Sequence, residues 1–138
     1  MIILDTNVVS AVMRADPVAT DWLTRLDDPR LSAVTISEIA YGLHRLPRGR
    51  RRASLEAAWR AVVDAWHDRI LPVTANTAEM AGVVMARREQ MGRPVALADA
   101  LIAATCLMHD ADIATANARD FEHLGLSIID PWQAKPSS

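Results

Sequence analysis

The sequence predicts an α/β protein, a three-layer sandwich in which a parallel sheet of short strands is flanked by helices. Three observations carry this. Apolar runs of three or four residues recur along the chain, stretches of helical periodicity separate them, and neither a composition break nor an internal repeat divides the 138 residues. Short apolar strands alternating with helices are the mark of a parallel sheet covered on both faces. A chain of this length buries roughly two-thirds of its unfolded surface, enough for one core.

The elements follow in order. Ile2-Ile3-Leu4 ends at the charge of Asp5 and reads as a buried strand. Asn7 to Arg14 is helical, and so is Pro17 to Asp27, where Pro17 suits a first helical turn. Leu31 to Val34 is the second strand. Thr35 opens an amphipathic helix that stops before Pro47, and a basic loop, Arg48-Gly49-Arg50-Arg51-Arg52, follows. Ser54 to Asp68 is a long helix carrying Trp59 and Trp66, and Ile70 to Val73 is the third strand. Helices at Asn76–Met91 and Leu97–His109 are split by the breaker Gly92-Arg93-Pro94. Asp112 to Thr115 is a strand, Ala118 to Leu124 a short helix, and Ser127 to Ile129 the last strand. One domain is expected over 1–132, with a polar tail over 133–138.

Composition excludes several chemistries. The net charge is −2, so any contact with a polyanion must be made by a local patch. Fourteen of the fifteen basic residues are arginine, and the only lysine, Lys135, lies in the tail. Phosphate-loop, Schiff-base and lysine acid–base chemistry inside the fold are therefore unavailable. The four histidines show no metal-ligand spacing, which argues against zinc. Cys106 is the only cysteine, so no disulfide forms within the chain and a reducing compartment fits. No apolar run approaches the eighteen or so residues of a membrane span, and the start lacks the basic region of a signal peptide. A cytoplasmic protein is expected.

The chemistry-bearing residues are scattered acids. Ligands of open parallel sheets bind at the carboxyl ends of strands. Asp5 falls at one such end and Thr115 at another, with Asn117 just beyond and Asp120 one turn on. Glu38 and Asp99 sit within otherwise apolar helical faces. Asp99 has no basic residue within a helical turn. Carboxylates in such surroundings usually pair or hold a metal. Structural readings stand beside these: Thr35-x-x-Glu38 fits a capping box, Asn117-x-x-Asp120 and Asn76-x-x-Glu79 fit helix caps, and Asp5 could cap the helix after it. As an ensemble, three acids from separate elements with a polar fourth group suit a hard divalent ion and a phosphodiester substrate.

The motifs Leu4-Asp5-Thr6-Asn7-Val8-Val9-Ser10, Ser32 to Gly42, Asp99-Ala100-Leu101-Ile102-Ala103-Ala104-Thr105, and Thr115 to Phe121 followed by Ile129-Asp130-Pro131-Trp132 appear in that order. Together they resemble PIN-domain proteins, specifically toxins of the VapC and FitB type. The resemblance implies a PIN-like parallel sheet, dependence on Mg²⁺ or Mn²⁺, and endoribonuclease activity as the toxin of a type II toxin–antitoxin system. By match to its motifs, Asp5, Glu38 and Asp99 are the acidic metal ligands and catalytic residues, with the Thr6 and Thr115 hydroxyls nearby. Asn117 stands where the family often has an acid; its amide, or Asp120, would complete the site. Arg45, Arg48, Arg50, Arg51 and Arg52, so close after Glu38, are candidate contacts to the RNA backbone. An antitoxin partner is implied that inhibits cleavage and supplies DNA binding. A homodimer is also implied, and the apolar residues Trp59, Trp66 and Val83 to Met85 offer a surface for it. An alternative is a PIN-like module that no longer cuts and serves as a regulatory scaffold. A phosphatase using Asp5 as nucleophile lacks both the second acid, where Asn7 stands, and an internal lysine.

Overall fold

A computed structural model of the chain describes residues 1–133; of the expected tail, 134–138 lie outside the described residues. Five parallel strands, β1 (Ile2–Leu4), β2 (Pro29–Ser32), β3 (Ile70–Leu71), β4 (Asp112–Ala114) and β5 (Ile128–Ile129), form one sheet in the order β3-β2-β1-β4-β5. Six helices cover it: α1 (Thr6–Met13), α2 (Pro17–Thr24), α3 (Ala33–Arg45), α4 (Arg50–Ala65), α5 (Ala75–Gln90) and α6 (Leu97–His109). Among the described residues, no helix is long and apolar enough to cross a membrane. The α/β sandwich expected from the sequence is the fold.

The two layers of helix follow from strand periodicity. Ile3 points into a core built with α5 and α6, including Val84, Ile102 and Ala103. Ile2 and Leu4 point the other way, into a core with Val8, Trp22, Leu43 and Trp59 from α1 to α4. Residues one apart on a strand face opposite sides, so three aliphatic residues in a row suffice to join both cores. Trp59 is buried and Trp66 packs on the same core. Trp59 therefore gives no surface for a dimer; of that apolar set, Trp66 and Met85 are half-buried and Val83 is exposed.

Several boundaries differ from the sequence reading, each for a physical reason. Strand β2 lies earlier than Leu31 to Val34, because Pro29 and Leu31 pair with Ile2 and Leu4 of β1. A proline is tolerated there as the first residue of a strand. Helix α3 consequently starts at Ala33, capped by Ser32, whose hydroxyl accepts from the Val34 N–H at 3.1 Å. Thr35 is thus inside the helix and the Thr35–Glu38 capping box does not form. Helix α4 begins at Arg50, so Arg50, Arg51 and Arg52 belong to its first turn and not to a loop; arginine is a good helix former. Thr74, rather than Asn76, caps α5 through the Thr77 N–H.

Candidate active site at the carboxyl ends of the central strands

Strands β1 and β4 are adjacent at the centre of the sheet, and the chain winds outward from them in opposite directions. This is the topological switch point, where the crevice outside the strand ends opens. Asp5 and Thr115 are the first residues past those two ends. The Asp5 N–H donates to the Ala114 carbonyl at 2.8 Å, and the Thr115 N–H to the Ile129 carbonyl at 2.9 Å.

Asp5 is 5% exposed and hydrogen-bonded at both carboxylate oxygens. One carboxylate oxygen accepts from the Thr6 N–H at 2.8 Å, capping α1. The other accepts from the Thr115 hydroxyl at 2.8 Å and from Asn7 Nδ2 at 3.0 Å. Asn7 also receives the Ala116 N–H on its Oδ1 at 3.1 Å, so this one amide ties α1 to the loop after β4. Burial nevertheless pushes the Asp5 carboxyl above its usual range; the hydrogen bonds from Thr115, Thr6 and Asn7 oppose this, while the charge of Glu38 adds to it.

Glu38, on α3, is fixed from the neighbouring helix. The Thr6 hydroxyl donates to its Oε1 at 2.6 Å, and the buried Thr35 hydroxyl lies 3.3 Å from Thr6 Oγ1. Asp99 occupies the first turn of α6, where the helix dipole favours a negative charge. Even so its pKa is pushed up to about 6, first by desolvation and then by the charges of Asp5, Asp120 and Glu38. That list of neighbours defines the site: four carboxylates from four parts of the chain share one field. Among the described residues, none of the four pairs with an arginine or histidine.

The other predicted residues divide. Thr6 and Thr115 are in the network. Asp120 lies in the short 3₁₀ turn Ala118–Phe121, and its charge bears on Asp99. Asn117 is exposed, and the network uses its backbone N–H, which donates to Thr115 Oγ1 at 2.9 Å, rather than its amide. It sits at the cap position of that turn but makes no side-chain capping bond, so the Asn117–Asp120 cap does not form. Of the arginines, Arg51 lines a cavity of about 170 Å³ shared with Thr6 and Glu38. Arg45 lies over the Tyr41 ring, 5.2 Å from its centre. Arg52 is held by Glu56 at 2.7 Å and by the Leu46 carbonyl and His44, which leaves it poorly placed to receive a phosphate. Arg48 and Arg50 are exposed. The sequence reading missed Asn7, Thr35 and Arg14. Arg14 lines the same cavity; its spacing of eight from Thr6 is the helical signal that places it there.

The donor set is chemically that of a hard cation: carboxylates and hydroxyls with no soft ligand. Among the described residues no three Asp, Glu, His or Cys side chains close into a cation cage.

The PIN domain family matches residues 2–126. The chain belongs to the PIN-domain family. It is 34% identical to the VapC ribonuclease Y4jK of Sinorhizobium fredii, over 96% of this chain and 99% of that protein. It is 31% identical to toxin FitB of Neisseria gonorrhoeae, again over 96% and 99%. A solved structure of FitAB bound to IR36 DNA fragment superposes on all of this chain and all of that one, with a TM-score of 0.88 at 30% identity. In this PIN domain, then, the acidic cluster lies at the switch point of the sheet.

Proposed function

We propose that this PIN-domain chain is a metal-dependent endoribonuclease and the toxin of a type II toxin–antitoxin pair. The observation that carries the reading is that the charges of Asp5, Glu38 and Asp120 all bear on Asp99 at the switch point, and that among the described residues none of the four carboxylates is ion-paired. The likeness to a VapC ribonuclease and to toxin FitB supports it.

Asp5, Glu38 and Asp99 would hold Mg²⁺ or Mn²⁺, with Asp120 next in reach. Such an ion, when bound, acidifies a coordinated water and offsets charge on the scissile phosphate. The chain's own part is positioning. Thr115, Asn7 and the Thr6 N–H fix the Asp5 carboxylate, the Thr6 hydroxyl fixes Glu38, and the half-exposed Asp99 faces the substrate side. Attack by water leaves a 5′-phosphate and a 3′-hydroxyl.

Asn7 is the positioning residue with the clearest test. Asn7→Ala removes a donor to Asp5 and an acceptor for Ala116. Loss of such an outer partner lowers metal affinity or activity about 10–100-fold. We expect cleavage to fall by that order and the Mg²⁺ concentration for half-maximal rate to rise. Unchanged metal dependence with lower thermal stability would make Asn7 a structural tie only.

The partner is an antitoxin that silences the site. A cluster of unneutralised acids attracts a guanidinium, whose planar fork matches carboxylates. The adjoining cavity, with Met13, Ile39, Leu43 and Leu55 on its apolar wall, suits the segment that would deliver one. Cleavage of RNA by the purified chain, and its loss on adding the protein encoded beside it, test this reading together. Operator-specific DNA binding by this chain alone, with its net charge of −2, would contradict the division of labour.

A further inference from the structure

Three arginines from three segments wall a second pocket, of about 310 Å³, on the α5 side of the molecule: Arg88 near the end of α5, Arg93 in the loop after it, and Arg119 in the 3₁₀ turn Ala118–Phe121. Arg88 forms the floor. It is 3% exposed, and donates from Nε to the Arg93 carbonyl at 2.9 Å, from Nη1 to the Glu122 carbonyl at 2.9 Å, and from Nη2 to the Arg119 carbonyl at 3.0 Å. All three acceptors are uncharged, and among the described residues no carboxylate pairs with Arg88. A guanidinium has five N–H donors, so two remain beyond these bonds. A buried cation solvated only by carbonyl dipoles is a strong attractor for an anion.

The mouth keeps the same sign. Arg93 and Arg119 are exposed, and the only acid paired there among the described residues is Glu122, 3.5 Å from Arg93. Both partners of that pair are well exposed (55% and 39%), so it is weak. Three arginines thus line a pocket beside which, among the described residues, only one carboxylate is loosely paired, on a chain whose net charge is negative. The location adds direction. Arg119 and Asp120 are consecutive in a 3₁₀ turn, whose neighbouring side chains project roughly 120° apart. One turn therefore presents Asp120 to the acidic site and Arg119 to the arginine pocket.

We propose that the Arg88–Arg93–Arg119 pocket seats a backbone phosphate of the RNA strand, beside the phosphodiester at the acidic site. The proposal rests on the ribonuclease reading and adds to it the subsite that holds the strand. A planar guanidinium fork is the group of choice for phosphate. Arg88 also staples the loop that carries Asp120, and that structural role alone would not require Arg93 and Arg119 to open onto a shared pocket.

The test leaves Arg88 intact, since its removal would unseat the loop. Binding of a fluorescein-labelled single-stranded RNA 20-mer is followed by anisotropy against salt, in the Asp99→Asn background so that the strand stays whole. Arg93→Gln with Arg119→Gln is compared with Arg25→Gln with Arg60→Gln, an equal change of charge on the α1–α4 layer. The pocket pair should raise Kd about tenfold, the scale of one lost charge-assisted hydrogen bond. It should also flatten the slope of log K against log salt by about 0.7, the contribution of one single-strand phosphate. The control pair should move neither. Equal losses in both pairs, or none in the pocket pair, would overturn the pocket while leaving RNA cleavage by the unmodified chain untouched. An unmodified chain that neither binds nor cuts RNA would overturn the ribonuclease reading itself.

Discussion

Asp99→Asn is expected to lower RNA cleavage by more than about 100-fold while leaving the fold intact and the metal-free protein more stable at neutral pH; removing an outer partner of a metal already costs up to about that much, and Asp99 is a candidate ligand. The stability gain follows from the electrostatics. Burial and the charges of Asp5, Asp120 and Glu38 raise the Asp99 carboxyl from 3.8 to about 6. For an enclosed group such a shift corresponds to about 3 kcal/mol, but Asp99 is only half-buried and solvent screening reduces it to roughly 1 kcal/mol. The sign is set by proton uptake. Between 3.8 and about 6 the folded chain binds more protons at Asp99 than the unfolded chain does, so stability is gained as pH falls through that window and is lost as pH rises. Asp5 is shifted the same way and reinforces the trend. Melting in EDTA should therefore rise as the pH is lowered from 7.5 into that window, to pH 4.5, by up to about 4 °C for a chain of this size. Asp99→Asn should melt higher than the parent at pH 7.5 and lose part of that pH dependence. A variant that unfolds, or melts well below the parent at both pH values, would make Asp99 a structural residue.

The same carboxylates were the most legible part of the site in the sequence, and the reason is local. Asp5 ends an aliphatic run, and Glu38 and Asp99 interrupt apolar helical faces, so each is an anomaly that needs no partner to be noticed. The residues that hold them are not anomalies. Asn7 and Thr35 are ordinary polar residues in a chain segment, and their roles come from partners far away in sequence: Asn7 meets Ala116, and Thr35 meets Thr6. Arg88 reads as a charge on a solvated helix end, yet the loop carrying Arg119 and Glu122 closes over it. Periodicity reports which face of an element is buried but not what it is buried against.

For the fold, β1 was legible because three aliphatic residues before a charge have one reading. Strand β2 was not, because Ser32 and Thr35 are both good helix caps and Val34 suits a strand as well as a helix. The register with β1, a long-range constraint, decides for Ser32. The start of α4 was missed for the opposite reason: a run of charges after Pro47 and Gly49 looked like loop, although arginine carries no penalty in a helix. The free thiol of Cys106, on α6, is buried, its pKa pushed up to about 12, chiefly by burial.

Metal removal is the other large effect, and it tests the central claim most directly. Among the described residues the site offers oxygen donors alone, with no histidine or cysteine taking part, and none of them replaces a divalent ion as the source of an acidified water or of positive charge on the scissile phosphate. Phosphodiester hydrolysis by such a site has no route without the ion. The measurement is the rate of cleavage of a defined single-stranded RNA by the purified chain, free of partner, first in EDTA and then after adding Mg²⁺ or Mn²⁺ in excess. The account predicts no cleavage above the uncatalysed background in EDTA, full recovery on adding either ion, and no recovery in the Asp99→Asn variant. Undiminished cleavage in EDTA, or equal cleavage by Asp99→Asn, would contradict it.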